Sequence, residues 1–378
     1  MSWSPELTDE ILIETLKAKA EHKSIKRTAL ALGINRSTLD NRLKRAALRG
    51  LDGSTPKALP PGQLVAGTST LYSGGEQVLQ WVKTRSEPSI EDTIAALKEA
   101  FDGYKAAKPI KAPAQASEQL LTLTPCNDWH LGLYVWGREC GTNWDLRLAE
   151  SVIGGAIDDL VERAPSSEVS IVLGGGDAFH ADNSQNQTAK SGNALDVDGR
   201  YPKIVEVAGR LHVRTVDAHL RKHKRVIVRI LPGNHDEHSA VALAYFLLAW
   251  YRNEPRVTVD VDPSLFFWHR FGKVFLGATH GHTVKLDKMP GIMASRRPED
   301  WGASRFRYIH GFHIHHLSKV ATEGNGCICE SHQAPIPQDA WHTGAGFLSG
   351  RSLQSITYHR DYGEVSRNRV AIIDAEAA

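Results

Sequence analysis

The acids and histidines of this 378-residue chain gather in five small groups, each just behind an apolar run. Asp128-Trp129-His130 follows Leu120–Thr124, and Gly174-Gly175-Gly176-Asp177 follows Val169–Leu173. Gly233-Asn234-His235-Asp236 follows Val226–Leu231. His280-Gly281-His282 follows Val274–Thr279, and His313-Ile314-His315 follows Tyr308–Gly311. Open α/β sheets place ligands at the C-terminal ends of their strands. Carboxylate, imidazole and amide oxygen together suit hard or borderline divalent metals, without choosing among manganese, iron and zinc. Two such cations, about 3.5–4 Å apart, clamp the attacking and leaving oxygens of a phosphoryl centre when several ligands and an anionic bridge hold them. Residues two apart on extended backbone point the same way. Asp128 with His130, and His313 with His315, are therefore each expected to converge on one cavity. Glycines before Asp177 and Asn234 are expected to permit sharp strand-exit turns.

The elements that must position these groups divide the chain into three zones. Residues 1–50 read as helices. Leu7, Ile11, Leu12 and Leu16 recur at helical spacing behind Thr8, a candidate cap, and further runs span Ile25 to Leu32 and Ser37 to Leu48. Residues 51–117 read as linker, rich in Gly, Pro, Ser and Thr up to Gly75, with short amphipathic helices expected over Glu76–Lys83 and Ile90–Ala107. Residues 118–378 read as α/β. The five apolar runs are the strands, Leu146–Arg163, Ile204–Lys222 and Val241–Arg252 the helices, and Ser355–His359 with Val370–Ile373 a terminal hairpin. Cys327 and Cys329 have no partners at zinc-finger spacing and read as residues on one face of a strand.

The ordered series DxH, GD, GNHD, HGH and HxH resembles the calcineurin-like metallophosphoesterases over about residues 120–340. The resemblance implies a four-layer αββα sandwich. It implies that Asp128, His130 and His315 bind one metal, that Asn234, His280 and His313 bind the other, and that Asp177 bridges them. His235 would serve the transition state or the leaving oxygen, oriented by Asp236, and a hydroxide activated by both metals would attack phosphorus in one in-line step. Of the two cations, manganese is the leading expectation, with iron or zinc behind it. The last motif departs from the family's Gly-His-x-His, because Phe312 separates Gly311 from His313, and His316 is a further candidate. Substrate contact is expected from His282 and, in the polar segment 177–200, from His180, Asp182, Asn183 and Arg200. Arg296, Arg297, Arg305 and Arg307 are candidates to grip a phosphate backbone.

Residues 28–43 fit a helix-turn-helix, with small Ala29 at the crossing, Gly33 at the turn, Ser37 or Asn35 as cap, and Ile34, Leu39 and Leu43 as shared core. The motif resembles the short helix-turn-helix of resolvase-like and Fis-like proteins. Its second helix offers Arg36, Ser37, Thr38, Asn41, Arg42 and Arg45 to base edges and phosphates. Residues 1–50 hold ten Lys/Arg against six Asp/Glu, an excess of four positive charges where the whole chain carries +2. That local footprint points to DNA. One such module reads few base pairs, so useful affinity needs a homodimer or help from the catalytic domain.

These readings give a metal-dependent hydrolase of phosphoesters acting on DNA, a nuclease or phosphodiesterase resembling phage-encoded phosphoesterases. A phosphomonoesterase acting on small molecules or phosphoproteins is the first alternative, and a non-catalytic DNA-binding regulator the second. No apolar run approaches the roughly 18 residues of a membrane span. The opening Met-Ser-Trp-Ser-Pro-Glu has no basic region before an apolar core. With only four cysteines, the expectation is a cytoplasmic protein without a membrane partner.

Overall fold

A computed structural model describes residues 8–48, 51, 63–73, 76–86, 94–95, 98–99, 110–188, 192–315, 318–322, 326–346 and 348–373. By its contacts the chain divides into two compact units, Met1–Pro88 and Ser89–Ala378.

The first unit opens with helices α1 (Asp9–His22), α2 (Ile25–Ala31) and α3 (Arg36–Leu48). Leu12, Thr15, Thr28, Ala29, Leu39 and Ala46 are buried and form their shared interior. Gly33 turns the chain at φ 63°, a left-handed conformation that glycine adopts without strain. Asn35 caps α3, its Oδ1 accepting the Thr38 N–H at 2.7 Å. Ser37 instead donates its hydroxyl to Asn35 Oδ1 at 2.8 Å. Thr8 makes no side-chain cap bond. Strands β1 (Gln63–Ser73) and β2 (Glu76–Ser86) then pair antiparallel. This corrects the expected linker and the helix over Glu76–Lys83. Val, Thr, Leu, Tyr and Trp recur across the two segments and suit a pleated pair. Most of the expected helix over 90–107 lies outside the described residues.

The second unit holds two face-to-face sheets. The six-stranded sheet runs β13 (Gly363–Ala371), β12 (Ser352–His359), β3 (Ser117–Cys126), β4 (Ser167–Gly174), β5 (Arg225–Ile230) and β6 (Val257–Asp260). From β3 to β6 its strands are parallel, and β12 and β13 form the antiparallel terminal hairpin. The five-stranded sheet runs β10 (Ser318–Thr322), β11 (Cys327–Ser331), β9 (Phe306–Gly311), β8 (Val274–Thr279) and β7 (Phe266–Phe271).

Period-two alternation sorts each strand's side chains between layers. Leu121, Leu123, Ile171, Leu173, Leu276, Ala278, Tyr308 and Ile356 meet between the sheets. Val172, Val226, Val228 and Ile230 face the other way, into the core beneath helices 146–163, 201–222 and 237–250. On the outer face of the five-stranded sheet, Phe275, Ile309, Cys327 and Cys329 pack under Met289 and Met293 of helix 289–296. The layering is thus helix, sheet, sheet, helix, as expected. The two cysteines share one strand face. No helix among the described residues is long and apolar enough to cross a membrane.

His212 sits fully buried in helix 201–222, its Nδ1 2.8 Å from the Ala208 carbonyl and its ring 4.6 Å from Trp129. Burial pushes its pKa down to about 4, so it folds as a neutral group. An unfolded histidine takes up a proton near pH 6.5, so acidification through that range favours the unfolded chain. Stability is therefore lost as pH falls from about 6.5 toward 4, by ~2–3 kcal/mol at pH 4.5 for this residue. Replacing His212→Leu should flatten the fall in Tm between pH 7 and pH 4.5. An unchanged acid slope would contradict this account.

Candidate metal centre

Each ligand group leaves the end of a strand and is held by bonds to the next. The Asp128 N–H reaches the Gly176 carbonyl at 3.0 Å, and the His130 N–H the Asp177 carbonyl at 2.9 Å. The exits of β3 and β4 thus stay in step beyond the sheet. Trp129 and Leu131 are buried in the helix-side core, which anchors the loop.

Convergence does not arise from extended backbone. Asp128, His130, Asp177, His313 and His315 all have positive φ, between 40° and 73°. They are five of the seven non-glycine residues in that region among the described residues. Such conformations cost about 1–3 kcal/mol each and persist where the surroundings over-determine them, commonly at functional sites. The flanking glycines serve close approach, and Gly176, left-handed at φ 95°, also makes the expected turn. A Cβ on Gly233 would collide with the Asp177 carboxylate, and one on Gly176 with the His280 ring. Gly233 itself is not left-handed, so it permits contact rather than a turn.

Among the described residues two donor clusters contain carboxylates at this site. Asp128, His130 and His315 form one, and Asp177, His280 and His313 the other, while an all-histidine group of His130, His180 and His235 overlaps the first. In the first, His130 Nε2 lies 3.3 Å from His315 Nε2, which lies 3.4 Å from Asp128 Oδ1. In the second, His280 Nε2 lies 3.1 Å from Asp177 Oδ2 and 3.2 Å from Asn234 Oδ1. Asp177 Oδ2 is also 3.8 Å from His130 Nε2, so this oxygen stands between the clusters. Its partner Oδ1 accepts the His235 N–H at 2.8 Å, which fixes the carboxylate. All seven expected ligands are brought together. His316 lies outside the described residues.

The electrostatics fit cations. Burial opposes ionisation of Asp177, yet His280, then His130 and His235, outweigh it and hold its pKa well below the usual value. For Asp128, burial is likewise outweighed by His315. Burial also works against charging His280, but Asp177 raises it to about 10, and Asp128 raises His315 against the same penalty. Protons on two imidazoles thus offset two buried carboxylates, at the two places where metal ions would do the same. His280 Nδ1 donates to the Gly175 carbonyl at 2.8 Å, leaving Nε2 for a metal.

His235 is oriented otherwise than expected. Its Nδ1 bonds the His180 carbonyl at 2.8 Å. A carbonyl can only accept, so Nδ1 carries the proton and Nε2 remains for substrate. Asp236 does not touch this ring. Its carboxylate accepts main-chain N–H groups of Asp177, Ala178, Phe179 and Gly233, at 2.7 to 3.3 Å. Buried beside Asp177, it has a pKa raised to about 7 by burial first and by that neighbour's charge second. It is a strut that ties two ligand loops together.

The substrate candidates separate. The buried His180 ring puts Nδ1 3.2 Å from His130 Nδ1 and stacks on His235 with centroids 5.5 Å apart. His282 lies against His280, with centroids 5.2 Å apart. Asp182 is buried and spent on helix 237–250, accepting from His238 and Ser239. Asn183 accepts the Gln185 N–H in a local turn, and Arg200 is exposed at the start of helix 201–222. The arginine pairs are engaged within their own layer. Arg296 covers Phe266, Arg297 pairs with Asp300, Arg305 covers Phe306, and Arg307 bonds the Trp301 and Ser304 carbonyls.

Sequence reasoning missed two neighbours of the centre, Asp339 and His342. Asp339 Oδ1 is 2.7 Å from His342 Nδ1, and the His342 ring stacks on His315 with centroids 5.8 Å apart. They sit in a connection with no strand-end motif to mark them. A separate buried group, His310, Glu330 and His332, has its charge already paired. Both Glu330 oxygens take Arg367 at 2.7 Å, and His310 bonds His332 at 2.9 Å.

No family profile matches the chain. No curated protein matches it. Several solved structures align with it weakly. A predicted phosphoesterase from Streptococcus pneumoniae is 10% identical, with 68% of this chain and 99% of that chain covered, at a TM-score of 0.28. A 5'-nucleotidase precursor from Thermus thermophilus is 15% identical at a TM-score of 0.29, over 68% of this chain. That match spans only about half, 54%, of the nucleotidase. Vps29 from Entamoeba histolytica, complexed with zinc, is 11% identical at 0.27, with 67% of this chain and 99% of that chain covered. Likenesses this weak do not bear on function; the donor cage does.

Replacing Asp177→Asn should cut bound metal from two ions per chain to one or none, read by elemental analysis after dialysis. Full loading would contradict the bridging role. Replacing His235→Ala should leave metal content unchanged and lower turnover by about 10²–10⁴. His280, held at about 10, must give up its proton to bind metal, so metal affinity should rise with pH from 6 to 8.

Proposed function

We propose that the chain is a two-metal phosphoesterase of the calcineurin-like type that acts on DNA, directed there by its N-terminal helices. The observation that carries the reading is Asp177 Oδ2 lying between His280 Nε2 at 3.1 Å and His130 Nε2 at 3.8 Å. Asp128, His130 and His315 would hold one cation, Asn234, His280 and His313 the other, and Asp177 both. Two such cations supply Lewis acidity to a phosphoryl centre and lower the pKa of water, with manganese the first choice.

The chain's own residues do the rest. His280 presents Nε2 because the Gly175 carbonyl holds its other nitrogen. His235 would meet the substrate through Nε2; only with a proton on that nitrogen as well would it stabilise charge on a phosphoryl oxygen or hand the proton to the leaving oxygen. His180 backs both His130 and His235.

Support for a DNA substrate comes from the surface of α3. Arg36, Ser37, Asn41 and Arg45 are exposed, while Thr38 and Arg42 are half-buried. Side chains of these types, on the helix after a tight turn, suit base edges and phosphates. The test compares bis-p-nitrophenyl phosphate with single- and double-stranded DNA across manganese, iron and zinc. The reading expects diester hydrolysis and DNA cleavage, both lost in Asp177→Asn. Replacing Arg36, Asn41 and Arg45 together by Ala should lower the ratio of DNA cleavage to bis-p-nitrophenyl phosphate turnover by roughly tenfold or more at low DNA concentration. A strong preference for monoesters with no DNA cleavage would favour a phosphomonoesterase, and DNA binding without turnover under any metal a non-catalytic regulator.

A further inference from the structure

We propose that a cavity beside the metal centre receives a nucleobase of the substrate. This rests on the phosphoesterase reading and names the part of the substrate next to the scissile phosphate. The cavity measures about 290 Å³, the lower end of the small-molecule range. Tyr134, Trp136, Glu139, Cys140, Asp196 and Ala340 line it.

Its position follows from the chain. Tyr134 lies four residues beyond His130, on the segment that leaves the first metal cluster. Ala340 opens the one-turn helix Ala340–Gly344, which also carries His342, the residue stacked on His315. The cavity is therefore framed by the two segments that flank the metal cage.

Its chemistry suits a flat, uncharged ring. Trp136 and Tyr134 are half exposed, at 50% and 44%, although both line the cavity. Exposed aromatic faces stack on bases. The carboxyl side chains of the lining are Glu139 and Asp196, and no Lys or Arg is part of it; Arg138, two residues on from Trp136, lies over the Trp136 ring with its guanidinium carbon 5.9 Å from the centroid. Two carboxylates repel phosphate and accept from ring N–H and exocyclic amino groups. The phosphate therefore belongs at the cage and the base in the cavity.

The experiment compares two esters that release the same p-nitrophenolate from the manganese-loaded protein. One is bis-p-nitrophenyl phosphate, which has no base. The other is the p-nitrophenyl ester of a nucleoside 5'-phosphate. The wild-type chain should favour the nucleoside ester in kcat/KM by roughly tenfold, mainly through KM. Trp136→Ala should bring the ratio close to one, Trp136→Phe should restore it, and Tyr362→Ala, at an exposed aromatic of the terminal hairpin, should leave it as in wild type. An equal ratio in wild type and Trp136→Ala, with the bis-ester still turned over, would overturn the base site while the phosphoesterase reading stands. Absence of turnover on both esters under every metal would overturn the two together.

Discussion

One carboxylate holds the functional half of this molecule together. Asp177 sits at the end of a central strand, buried, with one oxygen taken by the His235 N–H and the other shared between imidazoles of two clusters. A buried carboxylate without positive partners is strongly destabilising. The sheets must therefore deliver histidines to it from both sides. His130 comes from the exit of β3, His280 from that of β8, and the two sheets meet face to face through their apolar core. The inter-sheet packing is thus a precondition of the cage.

The backbone reports the same constraint. Five ligand residues hold left-handed conformations that together cost about 5–15 kcal/mol, as much as the net stability of a typical domain. Only a densely cross-braced surround sustains that. Asp236 supplies much of the bracing by collecting amide N–H groups from the loops after β4 and β5. The His180 carbonyl fixes His235, and the Gly175 carbonyl fixes His280. Main-chain groups orient the imidazoles, and side chains orient the main chain.

Much of this was legible in the sequence. Strands announce themselves as short apolar runs, and ligands as acids and histidines directly behind them. The seven expected ligands come together because those runs are neighbouring strands within each of two sheets, three in one and two in the other, and the sheets pack face to face. The small helices were legible too, since Ala29, Gly33 and Leu39 each have one plausible place in a tight helical pair. What was not legible depended on partners remote in sequence or on the main chain. Nothing in Gly233-Asn234-His235-Asp236 says that the aspartate braces amides rather than the adjacent ring. Glu76–Lys83 fits an amphipathic helix as well as a strand until its pairing with Gln63–Ser73 is known. Asp339 and His342 lie in a connection whose composition marks no site, and only the fold brings them beside His315 and His180.

The most direct test is anomalous diffraction from crystals of the intact chain grown with manganese. The account predicts two peaks about 3.5–4 Å apart, with the Asp177 carboxylate between them, Asp128, His130 and His315 around one, and Asn234, His280 and His313 around the other. A single peak, or peaks that leave Asp177 without a metal neighbour, would contradict it.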